Sequence, residues 1–301
     1  MTQQIQGVLP VLQTPYLDDF SIDWETLKRE IDWLFDQGID GVTIAMVSEV
    51  LRLTDAERVE MTRRVVEFTD GRGPVITSVG AESIHQALSH AEAAQEAGAD
   101  ALMAIPPTLT SCASDQVVAY YTALVQGTDR PIIIQDASGY VGNAIPVETQ
   151  AALYREHPDR IMFKPEAQPF GPNITALREA AGPDASIFEG TGGIALVDSF
   201  QRGINGTMPG AEVPWALVAL WKALQDGDME RARSIHEPLA ALISLQHNLD
   251  AFLAVEKLIL KHEGIFSNTL VRPPGGFVLE PQTEAEVLAL VERIRSACER
   301  N

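Results

Sequence analysis

Short apolar segments alternate with amphipathic helical segments along most of the chain, and no other feature constrains the fold as strongly. Eight of the apolar segments have the length and composition of buried parallel strands. They cover residues 7–14, 41–45, 75–79, 101–105, 131–135, 161–164, 186–189 and 206–208. Eight strand–helix units predict a closed (β/α)8 barrel of the α/β class, because open doubly wound sheets more often have five or six strands.

Helix-start signals fall between these segments, as the alternation requires. Thr54 and Glu57 have the spacing of a capping box that opens a helix over 58–68. Asp23 and Ser83 stand where N-terminal caps are expected. These signals place a helix after each of the first three predicted strands.

After residue 225 the pattern changes to helices alone. Helical periodicity covers 229–246, 251–263 and 284–298, and the connection 272–276 is rich in proline and glycine. We therefore predict two parts, a barrel domain over 1–225 and a C-terminal helical appendage over 226–301 that packs on the barrel.

The charge balance restricts the partners of the chain. Forty-two acidic residues against 22 basic ones give a formal charge of −20, which argues against nucleic acid or an anionic membrane as a partner. Cys112 and Cys298 are far apart and lack metal-ligand spacing, so we expect neither a disulfide nor a metal site. Residues 1–4 do not resemble the start of a leader peptide, and we expect a cytoplasmic protein.

Lys164 is the first candidate for catalysis. It is one of five lysines and ends the apolar segment 161–164, where a solvated lysine is unusual. The carboxyl ends of barrel strands carry catalytic groups, and a partly desolvated amine there can attack a carbonyl carbon. The alternative is a structural lysine that reaches out to pair with Glu166.

Polar residues follow strands two and five. After strand two, the hydroxyl of Ser48 and the backbone N–H groups of Val47, Ser48 and Glu49 could hold a carboxylate, although a Ser-Glu pair is also a common helix cap. Gln135 ends an apolar run and should face the cavity. Asp136 could bind substrate there, but Asp before small residues more often caps a turn.

Further candidates follow the remaining strands. Thr108 lies in a rigid turn after strand four, and Glu166 follows Lys164 by two positions. Gly190 and Thr191 belong to a glycine-rich turn whose N–H groups could bind an anion, which is a weak signal. Met208 ends strand eight, where small neighbours leave room for a ligand beside the lysine.

Several stretches together resemble the dihydrodipicolinate synthase and N-acetylneuraminate lyase family of class I lyases. The similarity covers almost the whole chain and includes the opening 7–15, the helix start 53–58, Lys164, the glycine turn 206–210 and the helical tail. It implies a Schiff base between Lys164 and the keto carbon of a 2-keto acid, formed without a cofactor. It also implies a homotetramer built as a dimer of dimers.

Departures from the family pattern bear on the substrate. The stretch 45–49 differs from the Gly-Thr-Thr-Gly-Glu of pyruvate-using members, and Gln135 and the region of Thr108 lack the usual tyrosines. Tyr140 stands where the synthase has its substrate-binding arginine. The chain is therefore not expected to be a true dihydrodipicolinate synthase.

The residues that remain are similar to a branch that dehydrates 2-keto-3-deoxy sugar acids such as 2-keto-3-deoxy-L-arabonate. On this interpretation Ser48 and nearby amides hold the carboxylate, Gln135 positions water or a hydroxyl, and Glu166 or Glu49 moves protons. Three alternatives stay open. They are an aldolase that releases pyruvate, a hydroxyproline-pathway deaminase, and a barrel that only binds a small acid.

Overall fold

The computed structural model describes residues 5–275 and 277–299, and the expectations for residues 1–4, 276, 300 and 301 lie outside this part of the chain. Within it, each of the eight predicted strands is present, mostly one to a few residues shorter than its apolar segment. The strands are β1 Gly7–Val8, β2 Val42–Ile44, β3 Val75–Ser78, β4 Ala101–Ala104, β5 Ile132–Asp136, β6 Ile161–Pro165, β7 Phe188–Glu189 and β8 Gly206–Thr207.

The strands form a closed parallel barrel. β2 to β6 pair in sequence order, and β8 lies between β1 and β7. Single bridges from Val11 to Thr43 and from Phe163 to Ile187 join these two sets. The (β/α)8 barrel predicted from the alternation is therefore confirmed.

A helix follows each strand, and three more follow the barrel. They are α1 Trp24–Asp36, α2 Asp55–Thr69, α3 Ile84–Glu96, α4 Ser114–Gly127, α5 Val147–Glu156, α6 Phe170–Ala181, α7 Leu196–Gln201, α8 Pro214–Gln225, α9 Met229–Ile243, α10 Leu249–His262 and α11 Pro281–Glu299. The Thr54–Glu57 capping box forms as predicted, and Asp23 and Ser83 cap α1 and α3. No helix in the described residues is long and apolar enough to cross a membrane.

Two layers of apolar packing surround the strands, because neighbouring residues of a strand point to opposite faces. Ile132 and Ile134 of β5 pack outward against the helices, whereas Ile133 points into the barrel. In β6, Phe163 packs outward and Met162 lies inside. This alternation decides which residues at the strand ends face the cavity.

The C-terminal helices do not form a separate body. α9 packs on α8, and α10 contacts a short 3-10 turn, Met46–Ser48, in the loop after β2. α10 begins at Leu249, two residues earlier than predicted, because the side chain of Asn248 caps it by accepting from the Ala251 N–H. The boundary between 1–225 and 226–301 stays our proposal.

Candidate active site

Lys164 and Gln135 face the inside of the barrel because of their position in the strands. Each lies two residues beyond an inward-facing side chain, Met162 in β6 and Ile133 in β5. The register pairs Gln135 with Lys164 across the two strands. Two neighbouring strand ends thus deliver an amine and an amide side by side.

Glu166 completes a hydrogen-bonded group with these two residues. Its Oε1 lies 3.1 Å from Lys164 Nζ, and its Oε2 accepts a 2.6 Å hydrogen bond from Gln135 Nε2. All three residues are buried, with 1–3% of their surface exposed. Gln135 Oε1 has no hydrogen-bond partner among the described residues, so it can accept one from a ligand.

The surroundings of Glu166 favour proton exchange with Lys164. Burial is the largest effect and raises the pKa of Glu166, and the nearby Glu189 also raises it. The charge of Lys164 and the hydrogen bond from Gln135 lower the same pKa. The net shift is upward. A carboxyl with a raised pKa and an amine 3.1 Å away can pass a proton between them, which frees the amine for attack.

A cavity of about 30 Å³ lies at Lys164 Nζ, enough for one or two water molecules. Its lining is mostly apolar or backbone. Besides the three catalytic candidates it comprises Val11, Ala45, Met46, Val47, Tyr140, Gly190, Gly192, Met208, Pro209, Gly210, Leu249 and Phe252. Two of these lining residues, Leu249 and Phe252, come from α10.

Six of the eleven predicted site residues line this cavity. They are Lys164, Gln135, Glu166, Val47, Gly190 and Met208. The side chains of the other five are engaged elsewhere. The Ser48 hydroxyl, for example, donates to Leu12 O at 2.5 Å and accepts from Ala45 N–H at 3.1 Å. Ser48 therefore fixes the shape of the loop after β2.

The remaining four predicted residues also hold loops. Glu49 forms a buried 2.6 Å ion pair with Lys257 of α10. Asp136 accepts from two backbone N–H groups after β5, and Thr191 bonds to a buried glutamate, Glu189. Thr108 donates to the carboxylate of Glu82 at the rim.

Nine residues of the cavity lining were not among the predicted site residues, and they include Tyr140, Leu249 and Phe252. Tyr140 is in the loop after β5; burial raises its pKa, and Glu166 is the next largest cause. Leu249 and Phe252 come from α10. Tyr140 had one signal in the sequence, its position beyond a strand end, whereas nothing in the sequence shows that α10 crosses the barrel mouth.

Gly190 gives a test of this packing. A Cβ there would lie 2.6 Å from Lys164 Cε and 2.8 Å from Glu166 Cγ and Cδ. We expect Gly190→Ala to displace the amine and to lower kcat about 100-fold, the effect of a misplacement of about 1 Å. Steady-state kinetics checks this, together with circular dichroism to show that the fold is kept. Wild-type kcat in the variant would contradict the tight contact.

A (β/α)8 barrel with a buried lysine beside a carboxyl at the strand ends defines the class of Schiff-base lyases. The match to a known family decides the membership. The chain belongs to the dihydrodipicolinate synthetase family, which matches residues 4–294, and it is a lyase. In the described residues, no group of three or more His, Cys, Asp or Glu side chains could hold a metal ion.

Individual relatives differ in activity. The chain is 28% identical to an L-2-keto-3-deoxyarabonate dehydratase of Azospirillum brasilense, over 97% of this chain and 96% of the relative. It is 24% identical to a probable 2-dehydro-3-deoxy-D-pentonate aldolase of Escherichia coli, over 94% and 95%. The structure of dihydrodipicolinate synthase from Rhodopseudomonas palustris superposes with a TM-score of 0.89 at 26% identity, over 97% and 99%.

Proposed function

We propose that the protein dehydrates a 2-keto-3-deoxy sugar acid, with 2-keto-3-deoxy-L-arabonate as the first substrate to test. The observation that carries the proposal is the buried group of Lys164, Glu166 and Gln135 at the ends of β5 and β6. The similarity to the dehydratase over nearly the full length of both chains supports it.

The first half of the reaction forms the Schiff base. Glu166 takes a proton from the Lys164 ammonium, and the neutral amine attacks C2 of the substrate. The carbinolamine then loses water, its oxygen protonated by Glu166, and an iminium remains. Formation of the iminium makes the C3 protons acidic.

The second half removes the C4 hydroxyl. Glu166 takes a C3 proton to give an enamine, and the enamine expels the C4 hydroxyl, which leaves with a proton as water. Loss of a C5 proton and protonation at C3 then leave an enol between C4 and C5. Transfer of the enol hydroxyl proton to C4 gives the C5 aldehyde. Hydrolysis of the imine releases the keto acid semialdehyde and restores the Lys164 amine. Gln135 Oε1 can accept a hydrogen bond from the departing hydroxyl or from the hydrolytic water.

The substrate carboxylate is assigned to the loop after β2. Met46 and Val47 line the cavity and lie in the short 3-10 turn. The N–H groups at the start of a helix have no acceptor inside that helix, so they are free to bind a ligand. We propose that the backbone of this turn binds the carboxylate, and that Ser48 and Glu49 keep the turn in place. Asp136, Thr108 and Thr191 are proposed to hold their loops in the same way.

An aldolase on the same Schiff base is the second candidate, because a relative named for aldolase activity also aligns over nearly the full chain. The product separates the two. Incubation with 2-keto-3-deoxy-L-arabonate is expected to give the five-carbon semialdehyde by NMR and mass spectrometry. Pyruvate and glycolaldehyde would instead establish the aldolase, and a trapped imine without turnover would indicate an acid-binding barrel. The C4 epimer serves as the stereochemical control.

Glu166 provides a further prediction. Glu166→Gln keeps the size of the side chain but cannot move protons, so we expect kcat to fall about 10²- to 10⁴-fold. Borohydride should still trap some imine, because Lys164 is intact. Glu179→Gln on the exposed face of α6 is the matched control and should keep wild-type kcat. An unchanged kcat for Glu166→Gln would assign proton transfer to another group.

Two properties stay predictions. We propose that the protein acts in the cytoplasm and, from the family resemblance, that it assembles as a homotetramer. A small 2-keto acid is the partner that the chemistry requires, and the reaction as written uses no cofactor.

A further inference from the structure

A second group of buried acids lies outside the catalytic group. Glu212 is in the loop between β8 and α8, and Glu256 is on α10; they are 1% and 0% exposed. Their carboxyl groups are adjacent, because a Cβ on Gly210 would collide with both Glu256 Oε1 and Glu212 Oε2. Two buried carboxylates this close repel each other, so burial favours a state in which one carboxyl is protonated and donates to the other. A pair in that state holds one proton and one negative charge.

Neutral donors surround the pair. The Gln13 amide and the Ala211 N–H donate to Glu256, the latter at 3.2 Å, and Gln246 Nε2 donates to Glu212 Oε1 at 2.8 Å. These N–H groups satisfy a single negative charge. A second charge would lie near Lys257, but that ammonium is already paired with Glu49.

Other titratable groups also face the pair. Glu30 of α1 and Tyr140 of the loop after β5 lie close enough to interact electrostatically with Glu256, as does Lys257 on α10. Burial raises the pKa of Glu212. Burial, followed by Glu212 itself and more weakly by Glu30, raises the pKa of Glu256 well above its ordinary value. Loss of the shared proton therefore requires a pH well above the one at which an ordinary glutamate ionises.

The pair touches the wall of the catalytic cavity. Gly210 lines the cavity, and a Cβ on this residue would collide with both carboxyl groups. The next residue, Ala211, donates its N–H to Glu256. Glu256 also follows Phe252, another cavity residue, by one helical turn on the same face of α10. The pair thus fixes residues 208–210 and the cavity face of α10 relative to each other.

We propose that Glu212 and Glu256 are positioning residues that hold the loop 208–210 against the active site only while they share one proton. Two buried carboxylates in contact repel each other, so loss of the proton displaces this loop and stops imine formation at Lys164. The readout at Lys164 rests on the proposed function. The movement of the loop does not.

The test compares the full-length wild-type protein with Glu256→Gln, which mimics a permanently protonated residue. The first readout is the rate of borohydride-trapped imine formation with pyruvate as a function of pH. The wild-type rate should fall about tenfold per pH unit above the alkaline transition, as expected for loss of one proton. The variant should keep its rate to higher pH. Glu212→Gln should behave in the same way and covers the case in which Glu256→Gln does not fold.

The second readout is amide exchange in the peptide that contains Ala211, expressed as the ratio of wild-type to variant so that intrinsic exchange cancels. The ratio should rise above the same alkaline transition. Glu30→Gln is the matched control, since it removes a buried carboxyl that is not bonded to the loop. In this control the rate of imine formation should still fall at alkaline pH. Any shift of the transition should be to lower pH, because loss of the negative Glu30 lowers the pKa of the pair.

The two readouts separate the possible failures. If no imine forms in any protein but the exchange ratio rises as expected, the Schiff-base proposal fails and the positioning role stands. If imine forms, and its rate falls at the same alkaline pH in the wild type and in both Gln variants, the positioning role is overturned. A flat exchange ratio would also overturn it.

Discussion

Replacement of Lys164 by arginine is expected to abolish imine formation and to lower kcat on the order of 10⁴-fold or more. Arginine keeps a positive charge beside Glu166, but its guanidinium stays protonated and is not a nucleophile at neutral pH. Loss of activity therefore reports on the nucleophile and not on the charge. Intact-mass spectrometry after borohydride treatment with pyruvate checks the result, and peptide mapping locates any adduct.

Lys222→Arg is the control for this experiment. Lys222 is exposed on α8 and pairs with Asp226, so its replacement should leave the adduct on Lys164 intact. An adduct that persists in Lys164→Arg would contradict the assignment. It would point to Lys257, which is also buried.

Replacement of Lys257 by methionine is expected to lower the free energy of unfolding by about 3–5 kcal/mol, because it removes one member of a buried ion pair and leaves Glu49 with a longer, 3.6 Å contact to Arg52 and the N–H of Arg272. Lys257 Nζ donates to Glu49 at 2.6 Å and to the carbonyls of Thr14 and Leu270, at 2.9 and 2.7 Å. It also lies 4.7 Å from the centre of the Tyr16 ring. Urea unfolding followed by far-ultraviolet circular dichroism measures the change.

The double variant Glu49→Gln/Lys257→Met tests the cause. Removing the buried carboxylate that has lost its lysine partner should recover part of the lost stability, so the two effects should not add. Lys28→Met is the matched control, because Lys28 pairs with Asp32 on the surface and such pairs contribute about 1 kcal/mol or less. Equal losses for Lys28→Met and Lys257→Met would refute the importance of burial.

The barrel could be predicted because its cause is local in the sequence. Strands buried on both faces appear as continuous apolar runs, and the helices between them carry their own capping residues. The alternation of side chains along a strand also explains why Gln135 and Lys164 reach the cavity. Asp136 is the next residue after Gln135, so the same alternation points its side chain to the opposite face of β5, away from the cavity. This outcome is predictable from the sequence.

The roles of the loop residues could not be predicted in the same way. Glu49 was a candidate for binding substrate, yet its partner Lys257 lies 208 positions away in the sequence. The path of α10 across the barrel mouth, which brings in Leu249 and Phe252, likewise depends on tertiary packing. A polar residue after a strand signals a site, but only the full fold shows whether it faces the ligand or fixes a loop.

The placement of α10 has a consequence for the evolution and engineering of such enzymes. One helix supplies cavity side chains, a carboxyl that contacts the loop after β8 and the lysine that pairs with the loop after β2. A chimera that joined this barrel to a tail without Phe252 and Lys257 would change the lining of the cavity and remove the lysine partner of Glu49 in one step. Substrate range and stability are therefore inherited together, and a successful exchange has to carry the matching barrel loops with the tail.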